Sequence, residues 1–495
     1  MTAAVATLLL TLVSTAGVCF PLRNRGGDAT SLAPLLAAVV LWSVGLVLGM
    51  EVLSQFHALG RPGLIGLAVA IPALMFLLTR RLPPVPPTSS QEAWPVAIPL
   101  ALLLGGIGVL CFPWLGYGLT QPVRPVSDAP IYHLPFILRW REAGWLEPMP
   151  TPFGELGATY FPANGDLWLA WLAILDGDDS LARVGGWPWL FVAAIALAAI
   201  GRRLGGDRAS ACVPPAFWLT MPFVQFTSSL GLVDIPFAAW YLCGLYFLID
   251  AGKRPSPERF PSLLLSALAL GLAAGTKTIG IVVGFPLILI LLWLARSGVT
   301  RFVMTLAAFL LPCFYWYLRN CLYGGNPLYP LHVDLFGITL FPGWYDGAAM
   351  VETSSYHVPY FDFANFRAVF ALVFDPRLVW LWPAVPALSL ILGIFHRPAR
   401  PAAALGLLAA LYFALFWFVI PYNTQQRFLL PALGIALLPL GLLRGRWSLA
   451  SGVLLMIALA AALEDELRAE SPDSDLDSEL LGVHAPVDRL FVLEF

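Results

Sequence analysis

The sequence predicts an all-α polytopic membrane protein of about 14 transmembrane helices, on three observations. The first is composition: across 495 residues, 59% are hydrophobic, 12% are charged, and the mean hydropathy is +0.79. A soluble domain is about half apolar and about a quarter charged. The second is the recurrence of apolar runs close to the roughly 20 residues a spanning helix needs. The third is the alternation of basic residues between successive loops. Together they exclude a soluble enzyme, a disordered chain and a nucleic-acid binder with a basic patch.

The expected spans are 3–20, 32–50, 63–79, 95–113, 184–200, 209–226, 234–250, 261–276, 278–295, 302–318, 378–395, 402–420, 428–443 and 447–463. No positive charge precedes the first run, so it reads as a span rather than a signal peptide. With the N-terminus outside, the inner loops and span ends hold 16 of the 28 basic residues and five acids, a net of +11, leaving −13 outside. That is a strong positive-inside pattern. The cysteines form no CxxC, and there is no N-x-S/T sequon. Two lysines against 26 arginines, with much Ala, Leu and Pro, suit a GC-rich bacterial genome.

The outer side receives the long loops, 114–183 and 319–377, a short polar stop at 421–427 and an acidic tail at 464–495. The expected division is a three-helix segment 1–94, a module 95–445, a last helix 446–463 and the tail 464–495. Long loops of this kind are usually functional. In the first, apolar residues at 131, 134, 138 and 145 fall at helical spacing, with Arg139, Arg141 and Glu142 polar. This predicts a helix lying along the interface. Asp128 opens it just before Pro130, where it reads equally as a helix cap or as a functional carboxylate. Asp234, followed by Pro236, has the same two readings. His133 alone reads as a structural interfacial histidine or as a hydrogen-bonding group.

Lys277 interrupts an apolar stretch from 261 to 295. A cation left in the membrane centre costs about 2.5–3.5 kcal/mol. It either snorkels to the interface or meets an anion at the outer turn between two spans. Arg319 and Arg427 also sit at outer span ends, where cations are the minority and need a local cause. The inner arginines serve orientation.

The run Asp128-x3-Tyr132-His133-Leu134-Pro135 resembles the first-loop signature of GT-C type membrane glycosyltransferases, such as protein O-mannosyltransferases and lipid A aminoarabinose transferases. Further stretches fit the same pattern: Leu181-Ala182-Arg183, Val233-Asp234-Ile235-Pro236-Phe237, Gly271 to Lys277, Tyr317-Leu318-Arg319-Asn320 with Gly325-Asn326-Pro327-Leu328-Tyr329-Pro330, and Gln426-Arg427-Phe428-Leu429-Leu430-Pro431-Ala432. The likeness spans roughly 95–445. Three spans before the first loop depart from the simplest arrangement, which has one.

The resemblance implies transfer of a sugar from a polyprenyl-phosphate donor to an acceptor, whether glycan, lipid or protein, at the outer face of a bacterial inner membrane. Asp128 is the implied general base, with Asp234 and His133 as catalytic partners. Lys277, Arg319 and Arg427 are expected to converge on the donor phosphate. Tyr132, Asn320, Asn326, Tyr329 and Gln426 are expected to line the substrate. The sequence requires no cofactor, and no nucleic-acid partner is expected. Asp128, His133 and Asp234 are ligand types that suit a divalent cation. The competing classes are a transporter or flippase of lipid-linked sugars and a ligase-type transferase using diphosphate-linked donors. A flippase is expected to show shorter loops, inverted repeats and mid-membrane charges.

Other patterns read as structural. Gly45/Gly49, Gly271/Gly275 and Gly280/Gly284 have helix-packing spacing. Trp114, Trp140, Trp145 and Trp344 are expected in interfacial belts. Asp176-Gly177-Asp178-Asp179 reads as a solvated turn.

Overall fold

The computed structural model describes residues 2–23, 32–79, 112, 114–120, 128–149, 156–256, 258–335, 337–346, 351, 357–362 and 381–443. The expected spans 95–113 (residue 112 apart) and 447–463 and the acidic tail lie outside them. The protein is a multi-pass integral membrane protein, and most of the described residues are helical. Among the described residues, six helices are long and apolar enough to cross a membrane, or seven if one bent pair counts as a span. Five shorter apolar helices fall on other expected spans.

The N-terminal group comprises α1 (Thr2–Arg23), α2 (Ala33–Gln55) and α3 (Arg61–Thr79). α1 and α3 leave most of their apolar surface exposed, as lipid-facing helices do, whereas α2 is largely buried. A Cβ on Gly49 would lie 2.2 Å from Leu67 Cδ1, and one on Gly45 would lie 3.1 Å from Ile71. These glycines therefore set the close approach of α2 and α3.

The first long loop is more ordered than its sequence suggests. A π turn, Ala129–His133, leads into α4 (Leu134–Ala143), which stops at Gly144 with φ +74°. A helix is present at this place, but its buried face differs from the expected one. Phe136, Ile137 and Trp140 face inward, while Leu138 is exposed. The buried stripe is Tyr132, His133, Phe136, Ile137 and Trp140, continuous through the turn and offset from the expected 131, 134 and 138. Trp140 is thereby a core residue, its Nε1 donating to the Glu147 carbonyl at 3.1 Å, and not part of a belt. The turn after α2 clasps the end of α4 through Leu59 N–H to Gly144 O and Leu146 N–H to Ser54 Oγ, both 2.9 Å.

The same loop contains α5 (Asn164–Asp176), thirteen residues that are almost entirely buried. It was expected to be loop. Thirteen residues reach only about 20 Å, too short to register as a span. Its Trp168 and Trp171 pack edge-on against Trp42 of α2, and Trp168 meets Trp189. The Asp176–Asp179 segment is a turn, with Gly177 at φ +101° and Ser180 N–H on Asp178.

The core continues through α6 (Ser180–Arg183), α7 (Trp187–Leu204), α8 (Arg208–Leu219), α9 (Pro222–Ser228) and α10 (Asp234–Lys253). The expected span 209–226 is broken before Pro222, whose ring nitrogen cannot continue the helix. α10 is buried all round. α11 (Phe260–Ala274) and α12 (Ile279–Ala295) follow. The expected span 302–318 is two helices, α13 (Val299–Leu310) and α14 (Phe314–Gly324), bent by 72°. Pro312 at the break removes a donor and clashes with the preceding turn. Gly271 packs at this bend, since a Cβ there would lie 2.1 Å from the Phe309 carbonyl.

The second loop corrects the all-α expectation locally. It carries a small sheet of order β2-β1-β3, with β1 (Leu331–Leu335) antiparallel to β2 (Ile338–Phe341) and parallel to β3 (Tyr345–Asp346). Asn423 grips the strap at Val358 through two bonds of 2.9 Å. The chain then forms α15 (Leu381–Phe395), α16 (Arg400–Val419) and α17 (Leu430–Leu437).

Charge separates along α10. Its C-terminal end holds Asp250, paired with Arg203 at 2.8 Å and with Arg254, beside Lys253. Its N-terminal end, sixteen residues or about 24 Å from Asp250, holds Asp234.

Candidate active site

Asp128 stands at the head of the π turn but caps nothing: its side chain makes no bond to the helix backbone. Instead Oδ2 accepts from Tyr132 Oη at 2.7 Å, one turn later, and from Arg427 Nη2 at 2.6 Å. Asp234 is the first residue of α10, where the helix dipole favours a negative charge. Its carboxylate is fully buried and faces Lys277 Nζ at 2.9 Å, with Arg427 Nε at 3.9 Å. Lys277 is carried on the turn between α11 and α12, and Arg427 on a 3₁₀ turn, Gln426–Leu429, leading into α17. Both cations lie near the Phe428 ring, at 4.7 Å for Lys277 and 5.6 Å for Arg427.

Residues 299 positions apart thus close a cluster of two carboxylates and two cations. Its formal charge is zero. Burial pushes the Asp128 carboxyl up, but the charges of Arg427, His133 and Lys277 and the Tyr132 hydrogen bond outweigh it and hold the pKa at about 2. Burial pulls the Lys277 ammonium below the ordinary lysine range against the opposing pull of Asp234. An anion entering here competes with carboxylates for cations already in place. It would meet preorganised donors rather than solvated ones.

The three expected phosphate cations do not form one contact group. Lys277 and Arg427 meet at Asp234. Arg319, on α14 beyond the bend, donates to the Phe161 carbonyl at 3.3 Å and to Asn320 Oδ1 at 3.1 Å, over the Trp316 ring at 4.9 Å. It is buried and has no acid within ion-pair distance among the described residues. The Phe161 ring lies 6.2 Å from Tyr132, so Arg319, bonded to the Phe161 carbonyl, is one residue away from the cluster.

Of the expected substrate residues, Tyr132 is in the cluster. Asn320 spends its amide on the Tyr160 and Tyr329 carbonyls at 2.8 and 3.0 Å. Asn326 is fully buried, donating to Leu331 O and Pro342 O and accepting from Leu328 N–H. These bonds hold the second loop and leave little capacity for a substrate. The Tyr329 ring packs edge-on to Tyr160 at 4.6 Å. Gln426 sits beside Arg427 in the same turn.

His133 is buried, and its Nδ1 contacts Asp166 Oδ1 on α5. Its Nε2 has no hydrogen-bond partner among the described residues. Among those residues, no group of three or more His, Cys, Asp or Glu is arranged to hold a metal ion. The Asp128 and Asp234 carboxylates face organic cations.

Sequence reasoning missed Asn164 and Asp166. Asn164 Nδ2 donates to Pro312 O at 2.8 Å and Leu272 O at 3.3 Å, and its Oδ1 accepts from Trp316 Nε1 at 2.7 Å. The available signal was a polar Asn-Gly-Asp step opening an apolar run inside a long loop.

Over residues 167–317 the chain matches the family model of dolichyl-phosphate-mannose-protein mannosyltransferases. That stretch contains Asp234 and Lys277 but neither Asp128 nor Arg427. The fold is similar to that of ArnT from Cupriavidus metallidurans, solved bound to undecaprenyl phosphate, with a TM-score of 0.50 at 15% identity. The likeness covers 73% of this chain and 63% of that one, less than two thirds of its length. No curated protein matches the chain. In fold and in this segment the chain resembles the GT-C type membrane glycosyltransferases.

Proposed function

We propose that the chain is a membrane glycosyltransferase that moves a sugar from a polyprenyl-phosphate carrier to an acceptor hydroxyl at the outer face of the bacterial inner membrane. The observation that carries this reading is the neutral cluster Asp128–Arg427–Asp234–Lys277, joined from four separated segments at one end of a buried helix. The lipid ligand of the ArnT structure and the donor named in the matched family model support a polyprenyl-phosphate carrier. The sugar is a hexose or pentose unit. The basic group Arg203, Lys253 and Arg254 at the far end of α10 supports an inward orientation for that end. We read the five shorter apolar helices, such as Phe260–Ala274 and Ile279–Ala295, together with the expected spans 95–113 and 447–463, as completing the set of about 14 spans.

In this reading the donor phosphate takes over the hydrogen bonds of Lys277 and Arg427, and Arg319 lends a further positive charge. Losing part of its Arg427 contact makes the Asp128 carboxylate a stronger base at the moment it is needed. The acceptor oxygen then bonds to the anomeric carbon as the carbon–phosphate oxygen bond breaks. The acceptor proton passes to Asp128, and the charge stays on the leaving phosphate beside Lys277 and Arg427. Asp234, buried between both cations, keeps them oriented.

The test is transfer of a labelled sugar from a polyprenyl-phosphate donor by the purified protein. Asp128→Asn keeps the shape and removes the base, so turnover should fall by about 10²–10⁴-fold with donor binding retained. Near-normal turnover would remove Asp128 from the chemistry and make Asp234 the leading base.

A further inference from the structure

We propose that the turn Asn164-Gly165-Asp166, which opens α5, is the alignment element of the site. Asp166 is the positioning residue for His133, and Asn164 positions both the turn bearing Lys277 and the ring beneath Arg319. The proposal rests on the transferase reading and deepens it with residues that need touch neither donor nor acceptor.

Three consecutive residues bond to or pack against the segments that carry Asp234, Lys277, Arg319 and His133. Asn164 N–H donates to Gly275 O at 2.8 Å, two residues before Lys277. Its side chain binds Leu272 O and the Pro312 carbonyl at the bend, and it accepts from Trp316, over which Arg319 lies. Gly165 fits because it has no side chain: a Cβ would stand 2.4 Å from Val233 Cβ and 3.0 Å from Thr276 Cγ2. Those residues immediately precede Asp234 and Lys277. Asp166 holds His133, which follows Tyr132 in the π turn that carries Asp128.

Packing alone does not explain this composition. Asn164 and Asp166 are both almost fully buried, and buried polar groups are costly unless bonded. Their partners are backbone and side-chain groups of the site itself, so what they supply is direction. The contact of His133 Nδ1 with Asp166 Oδ1 sets the orientation of the imidazole ring and so the direction in which Nε2 points. Nε2 is buried and has no hydrogen-bond partner among the described residues.

The experiment uses the full-length protein in detergent, with Asp166→Asn, His133→Gln and the double variant. Each single change should lower kcat by roughly 10–100-fold, the range for outer-shell partners of metal-bound histidines. Donor KM should change little, and the double variant should be no worse than the worse single. Nitrogen-15 NMR of labelled histidines gives a readout independent of turnover. A His133 Nδ1–H resonance should be present in the wild type, absent in His133→Gln and displaced in Asp166→Asn. Asn164→Asp, which removes two donors at nearly constant shape, should instead raise donor KM. Losses that multiply in the double variant, or a histidine spectrum indifferent to Asp166→Asn, would overturn the proposal. So would an active wild type whose Asp166→Asn variant keeps full kcat. A wild type that transfers nothing from any polyprenyl-phosphate donor sinks the transferase reading first, and the NMR result still judges the Asp166–His133 pairing.

Discussion

Lys277→Met tests the electrostatic logic of the cluster. The Asp234 side chain has 0% exposure, and its near partner is Lys277 at 2.9 Å, with Arg427 at 3.9 Å. Arg427 cannot simply replace the lysine, because its closest bond, at 2.6 Å, is to Asp128. Removing one partner of a buried pair leaves an uncompensated charge and costs about 3–5 kcal/mol. The lost ammonium contact with Phe428 is included in that figure. Adding Asp234→Asn removes the stranded charge, so the double variant should recover most of the stability. It should not recover donor binding, because the phosphate has lost its ammonium. Unfolding free energy in detergent and binding of undecaprenyl phosphate read the two effects separately. The reasoning fails if Lys277→Met alone is as stable as wild type. It fails equally if the double variant binds and transfers normally.

Three further outcomes follow from the geometry. Gly275→Ala should cost about 1–3 kcal/mol of stability as an overpacked site and weaken donor binding, because its Cβ would lie 2.2 Å from Asn164 Nδ2; Gly66→Ala, with nothing within 4 Å, is the neutral control in the same unfolding assay. Arg319→Gln should weaken undecaprenyl phosphate binding by about 1.5–3 kcal/mol, the value of a hydrogen bond to a charged group, and unchanged affinity would remove Arg319 from the donor site. The Asp128 pKa is depressed from 3.8 to about 2, so its contribution to stability is complete above 3.8 and is lost as pH falls through about 2. The stability gap between wild type and Asp128→Asn should therefore close only in that acid window, and closure between about pH 5 and 7, where an unperturbed carboxylate is already ionised, would contradict the Arg427 pairing.

Much of the architecture was legible because membrane helices announce themselves by length and apolarity. Lys277 and Arg427 stood out for a related reason: cations on the side where orientation disfavours them need a local cause. Their meeting with Asp128 and Asp234 depends on contacts between residues far apart in sequence, which no local pattern encodes. α5 escaped notice because it is too short to span and lies between turns. The face of α4 was misjudged because apolar residues lie on more than one side of it, and the stripe that packs, Tyr132, Phe136, Ile137 and Trp140, is not the apolar set 131, 134 and 138. The bend at Pro312 was visible as a proline, but its 72° consequence, which sends Arg319 toward Phe161 rather than Asp234, was not. Asn326 reads as a substrate ligand from its motif, and in the fold its amide is bonded to the loop around it, a contact no local pattern announces.

The most direct measurement is a structure of the protein with a polyprenyl phosphate bound. The account predicts phosphate oxygens within hydrogen-bond reach, about 2.7–3.2 Å, of Lys277 Nζ and the Arg427 guanidinium. It also predicts an Asp128–Arg427 contact longer than the present 2.6 Å, and a lipid tail leaving between helices at that end of the bundle. A phosphate seated elsewhere, with Asp128–Arg427 and Asp234–Lys277 both intact, would contradict it.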